Sequence, residues 1–157
     1  MDLSYRFARE RLAAVARTRG GQLDVVFVSL SGGGRAQLAA ALTTRLSGGK
    51  VLAHCAGTAT NGDVDPAVEL VIGELGIDTS ELFARPVSNE VIGSADVVIT
   101  MGLSVGVVDP PADVRREDWR VGDPSGATVD EARRVRDDIE RRVRTLLDEL
   151  GALAATA

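Results

Sequence analysis

The most regular pattern in the chain lies near its C-terminal end. There Ala132, Val135, Ile139, Val143, Leu146, Leu150 and Leu153 recur at three and four residues, with Arg, Asp and Glu between them. An apolar stripe at that period marks a surface helix packed by one face. Thr128 and Glu131 have the spacing of a capping box at its start. A second stripe, Tyr5, Ala8, Leu12 and Val15, predicts a helix over 3–18 that stops at Gly20-Gly21. Between these helices the pattern changes to short unbroken apolar runs. Val25-Val26-Phe27-Val28 predicts a buried strand over 24–29, Val51 to Ala56 a second and Asp96 to Met101 a third. Asp118-Trp119-Arg120-Val121 reads as a short last strand, after a loop-like stretch over 103–117 that holds Asp109-Pro110-Pro111. Arg35 opens a helix over 35–47 closed by Gly48-Gly49, and Asp65-Pro66 opens another that Gly76 ends.

Strands alternating with helices predict an α/β fold with a parallel sheet covered on both faces. At 157 residues the chain reads as one domain, with 1–21 as an N-terminal helical extension and 22–157 as the main body. Its helix either covers the sheet edge or pairs with a second copy of the chain, which makes a homodimer one candidate assembly. A net charge of −5, with no basic patch interleaved with aromatics, argues against a nucleic-acid partner. No apolar run approaches the roughly 18 residues of a membrane span. Arg6, Arg9, Glu10 and Arg11 break up any signal-peptide core, so the expected location is the cytoplasm. A single cysteine, Cys55, excludes an internal disulfide and any mechanism that needs two thiols of one chain.

Candidate chemistry concentrates where the first strand meets its helix. Ser29, Leu30, Ser31, Gly32, Gly33 and Gly34 form a small-residue loop, and Arg35 follows at the helix start. Such a loop points backbone N–H groups at an anion, and the helix dipole adds to the field. The Arg35 guanidinium supplies a planar fork for two oxygens of phosphate or arsenate. Three consecutive glycines lose more entropy on ordering than other residues, which predicts a loose loop and modest affinity. The loop matches neither G-x-G-x-x-G nor GK[ST], and no cofactor or metal is expected. Read without context, Arg35 could be a solvated helix residue, Asp123 a turn residue before Pro124, Cys55 a buried core thiol and His54 a structural histidine. Trp119 reads as packing near the site or as one wall of it.

With these elements placed, the chain resembles the low-molecular-weight protein tyrosine phosphatases and the related thioredoxin-coupled arsenate reductases. The resemblance covers residues 23 to about 150. It rests on Val-Phe-Val followed by Arg-x-Gln over 26–37, Ala-Gly-Thr at 56–58, Glu-Leu-Gly-Ile-Asp at 74–78, Ala-Asp-Val-Val-Ile-Thr-Met-Gly at 95–102, and Trp119 with Asp123-Pro124. It implies a three-layer fold, a four-stranded parallel sheet with helices on both faces, and the anion loop at the C-terminal end of the first strand. By position, the family's nucleophilic cysteine corresponds to Ser29, its phosphate-binding arginine to Arg35 and its acid to Asp123.

The departures cluster at that same site. Gly32 stands where the family carries a loop-shaping asparagine, and Ala36 where it carries a Ser or Thr beside the thiolate. Leu103-Ser104-Val105-Gly106 stands where the reductases carry redox cysteines. A cysteine near pKa 8.5 can be drawn down into ionisation by a helix N-terminus and an arginine, whereas a serine hydroxyl lies far above their reach. The expected function is therefore a catalytically impaired family member that binds phosphate, arsenate or a phosphorylated partner through 29–35. Two alternatives stay open: a phosphatase or phosphotransferase working through Ser29 with Asp123, and a partner-binding module with a vestigial loop. Arsenate reduction is not expected.

Overall fold

The computed structural model describes residues 22–59, 62–80, 82, 85–103, 108–124 and 126–154. The helix expected over 3–18 lies outside the described residues. The order is β1 (Leu23–Ser29), α1 (Arg35–Ser47), β2 (Val51–Gly57), α2 (Pro66–Gly73), β3 (Arg85–Pro86), α3 (Asn89–Gly93), β4 (Val97–Met101), β5 (Arg115–Trp119) and α4 (Val129–Leu150). All neighbouring strands pair in parallel, in the order β3-β2-β1-β4-β5.

The sheet has five strands, not the four expected. The extra strand is the two-residue edge strand β3, with both residues exposed, and it offers no apolar run to a reader of the sequence. β5 also begins earlier than the pattern indicates, at Arg115, and ends at Trp119. Its first residues are charged because they are paired instead of apolar: Arg115 bonds Glu117 and also Glu149 of α4. The five-residue helix α3 is too short for a helical period, and Ser88 caps it by accepting from the Val91 N–H at 3.2 Å.

The two faces of the sheet are covered unequally. Val25, Phe27, Ile99 and Met101 pack with Leu38 and Leu42 of α1, Val71 and Ile72 of α2, and Ile139 and Val143 of α4. On the other face Val26, Val28 and Val98 meet Ile92, Ala95 and Val108. The capping box of α4 is present in both directions, between the Thr128 hydroxyl and the Glu131 N–H (3.2 Å) and between the Glu131 carboxylate and the Thr128 N–H (3.3 Å). Among the described residues no helix is long and apolar enough to cross a membrane.

An ion cluster ties α4 to the residue that follows α2. Arg133 Nε lies 3.1 Å from both carboxylate oxygens of Glu74, and Arg136 Nη1 lies 2.9 Å from one of them. Chiefly through the Arg133 hydrogen bond, this holds the Glu74 pKa down at about 2. A carboxyl depressed on folding stabilises the fold above its unfolded pKa, and that stabilisation is lost as pH falls through the folded value. Glu74→Gln is therefore expected to melt below the parent protein at neutral pH. The gap should close as pH falls from about 4.5 towards about 2; a gap constant across that range, in melting curves at stepped pH, would overturn this.

Candidate functional site

β1 stands between β2 and β4, so the chain leaves it towards one side of the sheet and later returns to the other. In open α/β sheets the crevice beyond the C-terminal end of such a strand is the expected ligand position. Ser29, 3% exposed, is the last residue of β1 and reaches that crevice. The loop after it is tied from outside. The carbonyls of Ser29, Leu30 and Gly33 accept from the N–H groups of Thr58 (3.1 Å), Ala59 (2.8 Å) and Asp65 (3.0 Å). In a trans peptide the N–H points opposite to the C=O, and no cis peptide occurs among the described residues. The N–H groups of Leu30, Ser31 and Gly34 therefore turn to the inner side.

That inner side is a cavity of about 210 Å³ lined by Ser29, Leu30, Ser31, Gly34, Arg35 and Asp123. Gly32 and Gly33 pack closely on neighbouring backbone. Gly32 has φ +70°, and a Cβ there would lie 2.7 Å from the Gly57 nitrogen; one on Gly33 would overlap the Asp63 carbonyl oxygen. The missing side chains let the loop press onto the β2 exit, and backbone hydrogen bonds hold it there. Inside, the Gly32 N–H donates to Ser29 Oγ at 3.0 Å, and the Gly33 N–H donates to Ser31 Oγ at 3.2 Å.

Arg35 is the first residue of α1, whose N-terminus carries no side-chain cap. The first N–H groups of the helix are thus left for a ligand or water. The guanidinium is 15% exposed; Nη1 donates to the Val121 carbonyl at 2.8 Å and Nη2 lies 4.0 Å from Asp123 Oδ2. It lies against Gly102 (φ +69°), where any Cβ would overlap Nη2. Asp123 stands at the rim, its side chain 57% exposed. Asp65 joins the parts: Oδ1 accepts from the Ala67 N–H (2.9 Å) as the α2 cap, and Oδ2 from the Gly126 N–H (3.1 Å) beyond Asp123.

Several residues with reactive side chains fall outside this cavity. His54 pairs in register with Val26, three residues before Ser29 meets Gly57, or about 10 Å along the strands. Its Nε2 lies 3.6 Å from Asp24 Oδ1. Cys55 donates through Sγ to Gln37 Oε1 at 3.0 Å, and burial pushes its thiol up to about 11. Trp119 packs its ring on Phe27, centroids 5.7 Å apart, is buried in the core and does not line the loop cavity. The Val121 carbonyl, Gly102 and the second bond of Asp65 were not foreseen. A backbone acceptor and a missing side chain leave no trace in residue type, though the glycine after Met101 was the nearest signal.

The model of the low molecular weight phosphotyrosine protein phosphatase family matches residues 24–105. The chain belongs to that family. Among curated relatives, a Halobacterium salinarum protein named "Putative arsenate reductase" is 38% identical over 129 residues, covering 78% of this chain and 89% of its own. The solved thioredoxin-dependent arsenate reductase of Corynebacterium glutamicum superposes with a TM-score of 0.73 at 26% identity, over 94% of this chain and 72% of that one. An arsenate reductase solved in the phosphate-binding state gives 0.70 at 27% identity, over 82% of this chain and 98% of that one. In this member of the phosphatase family the loop, Arg35 and its supports all lie within the matched span except Val121 and Asp123. What the site offers is one guanidinium, an uncapped helix end, inward N–H groups, a neutral hydroxyl and, at the rim, the Asp123 carboxyl group.

Proposed function

We propose that this protein binds phosphate-like oxyanions, free or on a phosphorylated partner, in the loop from Ser29 to Arg35, and that thiol-based catalysis is lost. The observation that carries the reading is the docking of Arg35. Its guanidinium is held by the Val121 carbonyl and the Gly102 backbone beside an uncapped helix start, so a fixed cation and free N–H groups share one cavity. Ser29 takes the position of the family's nucleophilic cysteine. With a hydroxyl there the cradle lacks a thiolate's negative charge, which favours a dianion as ligand. The chain's single thiol, Cys55, is bonded to Gln37, is kept protonated by burial, and lies outside the cavity lining. A thiol–arsenate adduct and a relay of thiols therefore have no donor in the cradle.

Calorimetric titration of phosphate and arsenate tests the reading, with Arg35→Ala beside the parent protein. Charge-assisted hydrogen bonds contribute about 1.5–3 kcal/mol, so the variant is expected to bind about 100-fold more weakly. Equal affinity in the two proteins, or no heat in the parent at about 10 mM ligand, would end the proposal. A partner kept by Arg35→Ala would favour a binding module with a vestigial loop.

A second reading rests on Asp123 sharing the cavity with Ser29. Ser29 Oγ would bond to phosphorus as the ester bond to the leaving group breaks. Asp123 in its acid form would protonate the leaving oxygen, and the serine proton would pass to a phosphate oxygen. Phosphoserine at Ser29, trapped by acid quench and located by mass spectrometry, would support it; turnover unaffected by Ser29→Ala would exclude it.

A further inference from the structure

Asp65 stands where three parts of the site meet. Its backbone N–H donates to the Gly33 carbonyl of the loop at 3.0 Å. Oδ1 accepts from the Ala67 N–H at 2.9 Å and caps α2. Ser88 and Thr128 cap α3 and α4 with a single hydroxyl each, so a cap alone does not require a carboxyl group. The second oxygen has a different use: Oδ2 accepts from the Gly126 N–H, 61 residues further along the chain, at 3.1 Å.

Gly126 follows the residues that form the other wall of the cavity. Val121 and Pro124 are buried, and the Val121 carbonyl accepts from Arg35 Nη1 at 2.8 Å. Asp123 lies between them at the rim, with Oδ2 4.0 Å from Arg35 Nη2. Beyond Pro124 the chain is tied back to the loop's side of the cavity by the bond from Gly126 to Asp65. One residue thus bonds both walls, the loop through its N–H and the chain after Asp123 through its carboxyl group.

We propose that Asp65 is a positioning residue: through Gly126 it holds Asp123 against the cradle, where the Asp123 charge acts on a bound oxyanion. The effect on binding rests on the oxyanion reading of the loop; the effect on Asp123 rests on the tether alone. So placed, Asp123 competes with an anion for Arg35 and repels it.

The test uses Asp65→Ser and Asp123→Asn, singly and together, in the full chain. Serine caps a helix as well as aspartate does, but its one oxygen, a bond closer to the backbone, does not also reach Gly126. In Asp65→Ser the Gly126 amide is expected to exchange with solvent about 10-fold faster, while the Ala67 amide stays within about 2-fold. The Asp123 carboxyl carbon resonance is expected to shift. Neither readout needs a ligand. With phosphate as probe, Asp123→Asn is expected to tighten binding about 5-fold in the parent and less than about 2-fold in Asp65→Ser. A purely structural role for Asp65 would leave those two effects equal. Should Asp65→Ser unfold, Asp65→Asn replaces it, because its single oxygen cannot serve both amides.

The proposal is overturned if a folded Asp65 variant leaves the Gly126 exchange or the Asp123 resonance unchanged. Equal effects of Asp123→Asn in the two backgrounds overturn it as well. A parent protein that binds no phosphate ends the oxyanion reading of the loop, and the two ligand-free readouts then decide the tether.

Discussion

Ser29→Cys is expected to create a thiol ionised at neutral pH, about two or more units below the roughly 8.5 of a free cysteine. The features that depress a thiol pKa are in place around Ser29 Oγ. The Gly32 N–H donates to it at 3.0 Å, the uncapped start of α1 faces the same cavity, and Arg35 lines that cavity beside it. Each stabilises the charged form, and in the parent chain none of them can ionise an alcohol. With Asp123 at the rim as an acid, the variant is expected to hydrolyse p-nitrophenyl phosphate about 100-fold faster than the parent, or more. The thiolate absorbance near 240 nm, followed against pH, and the hydrolysis rate check the two halves separately. A low pKa with no hydrolysis would implicate Asp123 or the absence of a hydroxyl at Ala36. An ordinary thiol pKa in a variant that still binds phosphate would refute the electrostatic account of the loop.

The second large effect is expected at Gly33. A methyl group there cannot be accommodated by a rotamer change, because what it meets is the backbone carbonyl of Asp63. The loop would have to lift from the segment before α2, breaking the bond from the Asp65 N–H to the Gly33 carbonyl. Gly33→Ala is therefore expected to cost about 3 kcal/mol of stability, the upper end for overpacking, and to abolish measurable phosphate binding. Gly93→Ala is the control. A Cβ there meets nothing within 4 Å, so its change should stay within about 0.5 kcal/mol. Urea unfolding of the two variants, with phosphate titration of each, decides the matter. Equal stabilities would show that the loop does not depend on its contact with Asp63.

The two predictions differ in how they could have been reached. The Ser29 argument starts from a serine six residues before an arginine, between an apolar run and a helix, and the structure adds the Gly32 N–H and the shared cavity. The Gly33 argument needs the coordinates, because a glycine in a loop reads the same whether it bends freely or is pinned by a neighbour. The same holds across the fold. Val25 to Val28, the stripe from Ala132 to Leu150, the Thr128 box and the Asp65-Pro66 start were all legible, since burial period and caps are properties of neighbours in sequence. β3, α3 and the early start of β5 were not. They depend on a strand edge completed from elsewhere, a single capped turn, and an Arg115 whose charge is matched by Glu149 on another element.

By itself the sequence determined the α/β alternation, the position of the loop between strand and helix, and the residue types at 29, 35 and 123. Those follow from local hydrophobic period, cap chemistry and spacing. Tertiary structure alone decided that Gly32 and Gly33 press on neighbouring backbone and that Gly102 and the Val121 carbonyl fix the Arg35 guanidinium. It also set His54 on Asp24, out of reach of Ser29, and placed Gln37 beside the Cys55 thiol. The reason is physical: these outcomes turn on contacts between backbone atoms and side chains far apart in the chain, and no local pattern encodes such distances.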